Sequence, residues 1–355
     1  MLIIDAHLDL AMNAMEWNRD LRQQLHQINR QETGMNDKPG RGNATVSFDA
    51  LRKGNIGLVV ATQLAKCLPA DIPLHWWHSP EQAWAHTQSQ LAWYKAMEDE
   101  GELMQVKDRR SLAMHLAYWN HDDDEKKTIG YILSLEGADS IVTLQHLERA
   151  YEYGLRALGP AHYGPGRYAN GTNATGQMNA DGLSLLKEME RLNINLDATH
   201  LCDDAFWQAI DNFYGHIWAS HNNCRALVNH NRQFSDEQIK ILIERDAVIG
   251  AALDAWMLVP NWVRGQSNPL QMDCDLEKLI DHIDHICQLA GNARHVAIGS
   301  DLDGAFGKEQ CPYDLETIAD LQFIILLLKK RGYADEDIHS IMHGNWLRFL
   351  RKAWQ

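Results

Sequence analysis

The sequence predicts a mixed α/β fold, a (β/α)₈ barrel of the TIM type in which eight parallel strands form a ring. Short apolar runs rich in β-branched residues alternate with longer amphipathic stretches, which is the pattern of βα units. There are eight such runs, the number that a barrel requires. A chain of 355 residues is long enough for one barrel with insertions, so residues 1–355 are predicted to form a single domain.

The predicted strands are the apolar runs, each short enough to be a buried strand of a parallel sheet. In chain order they span residues 2–4, 56–61, 131–135, 155–158, 195–197, 217–219, 248–252 and 296–298. The predicted helices occupy the stretches between them, at 80–100, 111–119, 144–153, 181–192, 203–212, 235–245, 275–290 and 313–330. Two of these helices have start signals, with Asp181 as a cap and with Ser235 and Gln238 as a capping box.

Two segments interrupt the alternation of strand and helix. Residues 11–46 follow the first strand and include Trp17, Arg19 and Arg22, and residues 160–180 form a Gly- and Asn-rich loop after the fourth strand. Loops that follow the strands of a barrel lie at its C-terminal face, where functional sites are built. Both insertions are therefore predicted to border such a site.

Composition and charge limit the class of partner. The formal net charge of −15 argues against nucleic acid or an anionic membrane surface, because both attract Lys and Arg. The six cysteines form no CxxC pair, so neither a zinc ribbon nor a disulfide framework is predicted. The N-terminus lacks the regions of a signal peptide, and no apolar run is long enough to span a membrane. We expect a soluble cytoplasmic protein without a membrane partner. The sequence does not determine the oligomeric state, and a homodimer is one of the alternatives.

Side chains that can bind metals follow the predicted strands. His7 and Asp9 form an H-x-D pair at the end of the first strand, where alternate residues point to the same side. The metal-binding residues that come after other strands are Glu136, His200, His221 and Asp301. Because the C-terminal ends of barrel strands converge on one mouth, all these side chains are expected to meet there. Without a cation, several buried charges would be uncompensated at this mouth. A metal site is therefore predicted.

These residues divide into two metal sites that share one ligand. The predicted division assigns His7 and Asp9 to one metal, His200 and His221 to the other, and Glu136 to both. Imidazole and carboxylate ligands suit a divalent cation such as zinc. A hydroxide that bridges the two metals would be the nucleophile, and the metals would polarise the scissile carbonyl. Asp301 remains free to accept a proton from the attacking water and to deliver it to the leaving amine, so it is predicted to act as general base and then as general acid. Glu136, as the bridge between the metals, is the second predicted catalytic residue.

The motifs around these residues resemble those of the membrane dipeptidase family, also called renal dipeptidase or peptidase family M19, among the amidohydrolase-type barrels. The matching segments, in the family's order, are 4–10 (IDAHLDL), 135–137 (LEG), 197–200 (DATH), 220–223 (SHNN), 299–304 (GSDLDG) and 344–348 (GNWLR). The resemblance therefore covers nearly the whole chain. It implies a soluble, bacterial-type dipeptidase with two zinc ions per chain, acting on L-Xaa-L-Xaa dipeptides and on dipeptides with a C-terminal D residue.

The resemblance also implies two contacts with the dipeptide substrate. His162 matches a family histidine that contacts the substrate carbonyl and its tetrahedral intermediate. Arg232, eleven positions after His221, matches an arginine that binds the free carboxylate of the dipeptide. A guanidinium suits this task because its parallel N–H groups match the two oxygens of a carboxylate.

The chain departs from the family pattern in two places. Ala138 stands where a second glycine is common after Glu136, and residues 254–257 (DAWM) replace a more neutral stretch after the seventh strand. Neither departure changes a predicted metal ligand. The second one bears on the preference for substrate side chains, because the seventh loop helps to form the pocket wall.

Two other interpretations of the metal-binding residues stay open. One is a related barrel hydrolase that acts on a lactone, an N-acyl amino acid, a phosphotriester or a nucleobase. Those enzymes usually begin with an H-x-H pair and often use a carboxylated lysine as the bridge, whereas this chain has His7, Asp9 and Glu136. The other is a non-catalytic scaffold, which would be expected to have lost metal ligands.

Three further clusters of polar residues are interpreted as structural. His339 and His343 have the i, i+4 spacing of a zincin helix, but Ser340 stands where the catalytic glutamate would be. His282 and His285 have i, i+3 spacing and are expected on a helix surface or in ordinary packing. The acidic run at 122–125 is expected to be a solvated loop.

Overall fold

The computed structural model describes residues 1–68, 76–121 and 126–355. Within these residues the strands are β1 (Ile3–Leu8), β2 (Ile56–Leu64), β3 (Leu103–Gln105), β4 (Ile129–Glu136), β5 (Leu155–Gly159), β6 (Asn195–Asp197), β7 (Ile217–Trp218), β8 (Ile249–Ala251) and β9 (Val296–Ile298). All the pairings between them are parallel. They include a strand at each of the eight predicted positions.

Eight of the strands form a nearly closed parallel ring, which confirms the predicted barrel. Neighbouring strands follow the order β7, β6, β5, β4, β2, β1, β9 and β8. Ala219, directly after β7, forms a parallel bridge with Ile249 of β8 and so brings the two ends of this order together. The remaining strand, β3, pairs with β4 outside the ring and is an addition to the predicted set. Its three residues are too few to produce a periodic pattern in the sequence.

Helices surround the ring. In the described residues they are α1 (Leu10–Glu16), α2 (Leu25–Gln31), α3 (Phe48–Lys53), α4 (Pro80–Asp99), α5 (Arg109–Trp119), α6 (Leu144–Glu152), α7 (Ala180–Leu192), α8 (Asp203–Asn212), α9 (Asp236–Glu244), α10 (Ala255–Leu258), α11 (Leu276–Ala290), α12 (Phe323–Arg331), α13 (Asp335–His339) and α14 (Asn345–Ala353). Short 3₁₀ segments lie at Ala138–Ser140, Lys308–Gln310 and Ile318–Gln322, and a π-helical turn, Ser340–Gly344, joins α13 to α14. Among these helices, none combines the length and the apolar character needed to cross a bilayer.

The predicted start of the helix at 313–330 was wrong. The residues before Thr317 are not helical, a 3₁₀ segment follows, and α12 begins only at Phe323. Asp314 is engaged elsewhere, because its carboxylate accepts a hydrogen bond from the backbone N–H of Leu276 at 2.9 Å, where α11 begins. Thr317 then provides the capping side chain for the 3₁₀ segment. A tertiary contact and a later cap together delay the helix.

The caps of α7 and α9 test two predictions about helix starts. Asn179, and not Asp181, caps α7, since its Oδ1 accepts a hydrogen bond from Gly182 N at 2.9 Å. The capping box at α9 is confirmed. Gln238 N donates to Ser235 Oγ at 3.3 Å, and Ser235 N donates to Gln238 Oε1 at 2.8 Å. These two reciprocal bonds satisfy backbone donors that the first turn of a helix leaves free.

Helix α14 covers the end of the ring where the strands begin. Its Trp346 and Phe349 each pack against Trp218 of β7 with ring centroids 5.6 Å apart. Arg348 extends this contact to the segment before β8, where its Nη1 lies 2.7 Å from Asp246 Oδ1. This end of the barrel is therefore filled by apolar side chains, and the cavity described below opens at the other end.

The first insertion, residues 11–46, is held by a buried network of charges. Arg19 donates to both carboxylate oxygens of Glu32, at 2.8 and 3.0 Å. Its Nη1 also lies 3.4 Å from Asp303 Oδ2, beyond β9. Asp303 in turn accepts hydrogen bonds from Thr45 N at 2.9 Å and from Val46 N at 3.0 Å. The insertion is therefore fastened to the barrel mouth at both of its ends.

Candidate metal centre

Six side chains from separate strand ends meet at the C-terminal mouth of the ring. His7 lies in β1 and Glu136 ends β4, while Asp9, His200, His221 and Asp301 follow β1, β6, β7 and β9. Five of them are buried, and the side chain of Asp301 is 15% exposed. All except His7 line a cavity of about 320 Å³. The structure thus brings together the candidate metal ligands that the sequence places far apart.

The carboxylate of Glu136 lies at the centre of this cluster. Its Oε1 is 3.1 Å from His200 Nε2 and 3.5 Å from His221 Nε2, and the two imidazole nitrogens are 3.2 Å apart. Ligand atoms around a tetrahedral zinc ion with bonds of about 2.0 Å are separated by about 3.3 Å. These three atoms therefore have the spacing of ligands to a single cation.

The other carboxylate oxygen of Glu136 faces His7. Oε2 lies 3.7 Å from His7 Nε2, and the same imidazole nitrogen is 3.8 Å from Asp9 Oδ1. Asp301 Oδ1 lies 3.7 Å from it as well. His162 Nε2 is 3.9 Å from Glu136 Oε2. The two oxygens of one carboxylate thus face two different sets of potential ligands.

The structure allows more than one division of these ligands. The groups whose ligand atoms all lie within 4.8 Å of one another, among the described residues, are His7, Asp9 and Glu136; His7, His221 and Asp301; and Glu136, His162 and His200. The first group matches one half of the predicted division. The other two groups differ from the predicted division. One places His221 with His7, whose ring centroids are 3.7 Å apart, and the other places His162 with His200, whose ring centroids are 4.6 Å apart. The assignment of each residue to one metal stays a prediction.

Hydroxyl groups behind two imidazoles orient them. Thr172 Oγ1 lies 2.9 Å from His200 Nδ1, and Ser220 Oγ lies 2.9 Å from His221 Nδ1. When Nδ1 of a histidine is engaged in this way, Nε2 is the nitrogen that remains for a metal. In both histidines Nε2 is the nitrogen that faces Glu136.

The backbone at this site includes conformations that L residues seldom adopt. The φ angle is 68° at His200 and 58° at Asp301, in the left-handed region. Such conformations cluster at functional sites, where the surrounding structure compensates for the strain. Gly137, with φ of 78°, follows Glu136, and a Cβ there would lie 3.4 Å from the Cβ of His162. The contact distance is ordinary, so it is the left-handed φ of Gly137 that favours glycine directly after Glu136.

Burial keeps the imidazoles of the site neutral. It lowers the pKa of His7, His200 and His221 well below the ordinary value, and the positive charge of Arg232 lowers each of them further. Burial likewise lowers the pKa of His162 to about 3. A neutral imidazole has a nitrogen lone pair available, which is the form that binds a metal.

The carboxyl groups of the site repel one another. Burial, followed by the nearby charge of Asp9, raises the pKa of Glu136 and Asp301 well above the usual range. Burial also raises the pKa of Asp9 to about 6. Glu136 Oε1 and His7 Nε2 receive no well-directed hydrogen bond from any described residue. Divalent cations would satisfy these atoms and remove the repulsion, so the set of donors fits a metal centre.

Arg232 places a buried positive charge on the cavity wall. It is 3% exposed, and its Nη2 donates to His221 O at 2.9 Å. Its Nε and Nη1 have no hydrogen-bond partner among residues 1–68, 76–121 and 126–355. A guanidinium with unused N–H groups in a cavity is well suited to a carboxylate.

Comparison with known proteins identifies the family. The model of the membrane dipeptidase family, peptidase family M19, matches residues 1–355. The chain belongs to this family. An uncharacterized protein in the pqqA 5′ region of Klebsiella pneumoniae is 28% identical to this M19 chain over 240 residues, which are 65% of this chain and 84% of that protein. The matches to two further curated relatives cover 52% of their lengths, so this chain spans about half of those proteins.

Solved structures of M19 proteins share the fold. A dipeptidase AC, a metallopeptidase of family M19, superposes with a TM-score of 0.79 at 21% identity, covering 100% of this chain and 99% of that one. A metallopeptidase from Rhodobacter sphaeroides, liganded with a phosphinate mimic of the dipeptide L-Ala-D-Ala, superposes with a TM-score of 0.78 at 20% identity, with 100% and 99% coverage. At such identities the likeness shows a common fold.

Two acidic residues that support the M19 site were not predicted. Asp5 Oδ1 accepts a hydrogen bond from Ser300 N at 2.8 Å, and Asp197 Oδ1 accepts one from Ser220 N at 3.0 Å. Each bond joins neighbouring strands of the ring directly beside a candidate ligand. The available signal was a buried acid two or three positions before a histidine, in the segments DAH (5–7) and DATH (197–200).

The segment that departs from the family pattern after β8 forms part of the cavity wall. Asp254 is buried and accepts hydrogen bonds from Gln310 Nε2 and Trp256 Nε1, both at 2.7 Å. Arg264 Nη2 lies 3.5 Å from the same carboxylate. Asp254 therefore ties together three parts of the wall.

The other histidine pairs lie outside the metal cluster. His282 is buried and accepts a backbone N–H at 3.1 Å, and His285 Nε2 lies 2.8 Å from Asp236 Oδ1. His339 and His343 face each other at 5.5 Å between ring centroids and join no group of metal ligands in the part of the chain that the structure describes. The acidic run at 122–125 lies outside the described residues.

Proposed function

We propose that this M19 protein is a metallodipeptidase that holds two divalent cations, with zinc as the expected metal. The observation that carries the proposal is the position of Glu136. Its Oε1 faces His200 and His221, whereas its Oε2 faces His7. A carboxylate with ligand sets on both sides is what a bridge between two cations requires.

The donor set supports cations of this kind. His7, Asp9, Glu136, His200 and His221 would hold the two cations, as neutral imidazoles and carboxylates. When bound, such a pair supplies a hydroxide nucleophile near neutral pH and polarises the carbonyl of the substrate. The hydroxyl contacts of His200 and His221 keep their Nε2 atoms directed at this position.

The remaining polar side chains of the cavity would bind and process the dipeptide. The unused N–H groups of Arg232 bind its C-terminal carboxylate. His162, neutral at pH 7, contacts the oxygen of the scissile carbonyl as negative charge develops there. Asp301 accepts a proton from the attacking water and delivers it to the leaving nitrogen. The C–N bond breaks, and the products are two amino acids.

The proposal includes substrates with either configuration at the C-terminal residue. The Rhodobacter sphaeroides relative binds a mimic of L-Ala-D-Ala, which supports the inclusion of L,D dipeptides among the candidates. In this chain Arg232 recognises a carboxylate, a group that both configurations present.

The test combines metal analysis with a substrate panel. The purified protein, supplied with zinc and then freed of excess metal, is expected to retain about two ions per chain. The same sample is expected to hydrolyse L,L or L,D dipeptides and to leave lactones and N-acyl amino acids unchanged. Metal binding without any dipeptide hydrolysis would contradict the proposed substrate class. Failure to retain metal would indicate a scaffold in place of an enzyme.

A further inference from the structure

An apolar wall borders one side of the cavity. It consists of Met12, Trp17, Leu64, Trp76 and Ala305, which form a separate hydrophobic cluster and all line the cavity. Met12, Trp17 and Leu64 are at most 6% exposed, and the remaining two are partly exposed. An apolar surface of this kind, beside a polar reaction centre, is typical of the part of a pocket that binds an apolar group.

The apolar wall lies across the mouth from Arg232. Its residues follow β1, β2 and β9 or end β2, whereas Arg232 follows β7. In the ring of eight strands β2, which carries Leu64 and precedes Trp76, is four places from β7, the greatest separation that the ring permits. β1, which precedes Met12 and Trp17, is three places from β7, and β9, which precedes Ala305, is two places from it. Glu136 ends β4 and lies among the candidate ligands between these two sides. A ligand held by Arg232 at one end and reacting at Glu136 would therefore extend toward the apolar wall.

The first insertion keeps this wall in place. Trp17 Nε1 donates to Pro39 O at 2.9 Å, and Arg41 Nη1 donates to Trp17 O at 2.6 Å. Arg41 also pairs with Glu32 at 2.7 Å, within the buried charge network of the insertion. The indole of Trp17 is thus held by hydrogen bonds on both its ring and its backbone, so the wall is preformed.

The charged groups near the apolar wall are already paired. Glu16 Oε1 lies 3.1 Å from His86 Nε2, and its Oε2 lies 3.8 Å from Lys38 Nζ. Lys38 Nζ also lies 4.7 Å from the centre of the Trp17 ring. Glu16 and Lys38 both line the cavity, but because they pair with each other, each attracts a charged ligand less strongly.

We propose that the apolar wall binds the side chain of the N-terminal residue of the dipeptide and makes the enzyme selective for large apolar residues there. The inference rests on the proposed function, because the contact of Arg232 with the C-terminal carboxylate sets the orientation of the substrate. With the scissile amide at the metal centre, the N-terminal residue is the part that faces away from Arg232. The wall selects leucine, methionine and phenylalanine over glycine and over charged residues at this position.

The first experiment measures kcat/KM of the zinc-loaded enzyme on two series of dipeptides. In the series Xaa-Ala the N-terminal residue varies, and in the series Ala-Xaa the C-terminal residue varies. Burial of one large apolar side chain is expected to raise kcat/KM for Phe-Ala and Leu-Ala about 10- to 100-fold above Gly-Ala. Glu-Ala and Lys-Ala should be no better than Gly-Ala.

A pair of tryptophan variants tests the wall itself. Trp76→Ala should lower kcat/KM for Phe-Ala about tenfold more than for Gly-Ala, because it removes apolar surface from the pocket. Trp76→Phe, which keeps an aromatic ring, should restore most of the difference. Trp207→Ala, on the exposed side of α8 and away from the cavity, is the matched control and should leave the ratio between the two substrates unchanged.

The outcomes separate this inference from the proposed function. Equal kcat/KM across the Xaa-Ala series, or selectivity only in the Ala-Xaa series, would overturn the assignment of the wall while leaving dipeptide hydrolysis intact. Equal effects of Trp76→Ala and Trp207→Ala would overturn it as well. The absence of hydrolysis of any dipeptide by metal-loaded protein would overturn the proposed function, and the orientation argued here with it.

Discussion

At the scale of single residues, the position of Glu136 is the feature that needs a physical explanation. Its carboxylate is buried among the imidazoles of His7, His200 and His221 and near the carboxyl groups of Asp9 and Asp301. A charge in such a place costs several kcal/mol unless another charge compensates it. Neutral imidazoles do not provide that compensation. Two cations would, and this is why the metals and Glu136 are expected to depend on one another.

Substitution of Glu136, the proposed bridge, should remove both metals. Glu136→Gln keeps the size of the side chain but loses its charge, so we expect zinc content to fall well below two ions per chain. Loss of a group that only orients a metal ligand already lowers metal affinity or activity about 10- to 100-fold. Loss of Glu136 itself should therefore lower activity by more than about 100-fold. Metal analysis and kcat measure the effect, and Glu148→Gln, on an exposed glutamate, is the control. Full metal content with full activity in Glu136→Gln would refute the bridging role.

Asp301 should matter for turnover more than for metal content. Asp301→Asn retains the shape of the side chain but cannot accept a proton, so kcat is expected to fall about 10²- to 10⁴-fold. Metal content, measured on the same sample, should stay near that of the unchanged protein. Because Asp301 Oδ1 lies 3.7 Å from His7 Nε2, loss of one metal in this variant would show instead that Asp301 is a ligand.

Arg232 should control recognition of the free carboxylate. Arg232→Met removes the guanidinium but keeps an extended side chain, so KM for dipeptides should rise by about 10- to 100-fold. Dipeptides amidated at the C-terminus should show little further change. Arg264→Met is a useful comparison, because Arg264 lines the same cavity but its side chain is 57% exposed. A larger effect from Arg264→Met than from Arg232→Met would show that the carboxylate binds elsewhere.

At the scale of elements, Glu32 holds parts of the first insertion together. This carboxylate accepts hydrogen bonds from Arg19, from Arg41 Nη1 at 2.7 Å and from Gly42 N at 2.8 Å. Burial alone would raise the pKa of Glu32, but the bonds from Arg19, Gly42 and Arg41 outweigh it and hold the pKa below the ordinary value. The stabilisation is therefore present above the pKa of an unfolded glutamate, roughly 4.3, and is lost as the pH falls further.

Loss of the Glu32 charge should loosen the insertion before it affects the barrel. In Glu32→Gln we expect trypsin to cleave within residues 17–46 faster, because Arg19 and Arg41 lose a buried partner and hydrogen bonds worth about 1.5–3 kcal/mol. Asp20→Asn, which breaks the exposed pair of Asp20 with Arg22 in the same insertion, is the control and should have little effect. Equal cleavage of the two variants would show that the buried network does not hold the insertion.

At the scale of the whole molecule, the candidate metal centre joins distant parts of the barrel. Its candidate ligands lie at the ends of β1, β4, β6, β7 and β9, which are spread around the ring. Helix α14 supports the opposite end, where Trp346 and Phe349 pack against β7. Cations bound at the mouth would therefore help to hold β6, β7 and β9, each of which pairs with a neighbouring strand over no more than three residues.

Removal of metal should lower the thermal stability of the whole protein. A cation at a concentration 1,000-fold above its Kd stabilises the folded state by about 4 kcal/mol if the unfolded chain does not bind it. A chelator should thus lower Tm by several degrees, as measured by circular dichroism, and added zinc should restore it. In Glu136→Gln the chelator should have little effect on Tm. An unchanged Tm in the original protein would show that metal does not contribute to folding stability.

The sequence by itself determined the barrel, most helix positions and the residues at the strand ends. These features depend on local patterns, namely the period of apolar residues, the capping residues and the motifs after each strand. The H-x-D pair of His7 and Asp9, for example, could be recognised without knowledge of any contact. The strand at 103–105, the late start of α12 and the cap at Asn179 were not recognised, because short segments and tertiary contacts override local preference.

Only the tertiary structure decided how those residues meet. Asp303 binds Thr45 of the first insertion, 258 residues earlier in the chain, and Asp5 supports the site through Ser300. The motif DAH (5–7) marks Asp5 as an acid beside a candidate ligand, but it does not indicate Ser300 as the partner, and no motif indicates the partners of Asp303. Contacts between residues so far apart in the chain follow from the order of strands in the ring. The order of strands also explains why the two carboxylate oxygens of Glu136 face different histidines and why the apolar wall lies opposite Arg232. The residue types alone indicated metal-dependent chemistry. The positions of Glu136, Arg232 and the apolar wall relative to one another required the closed barrel.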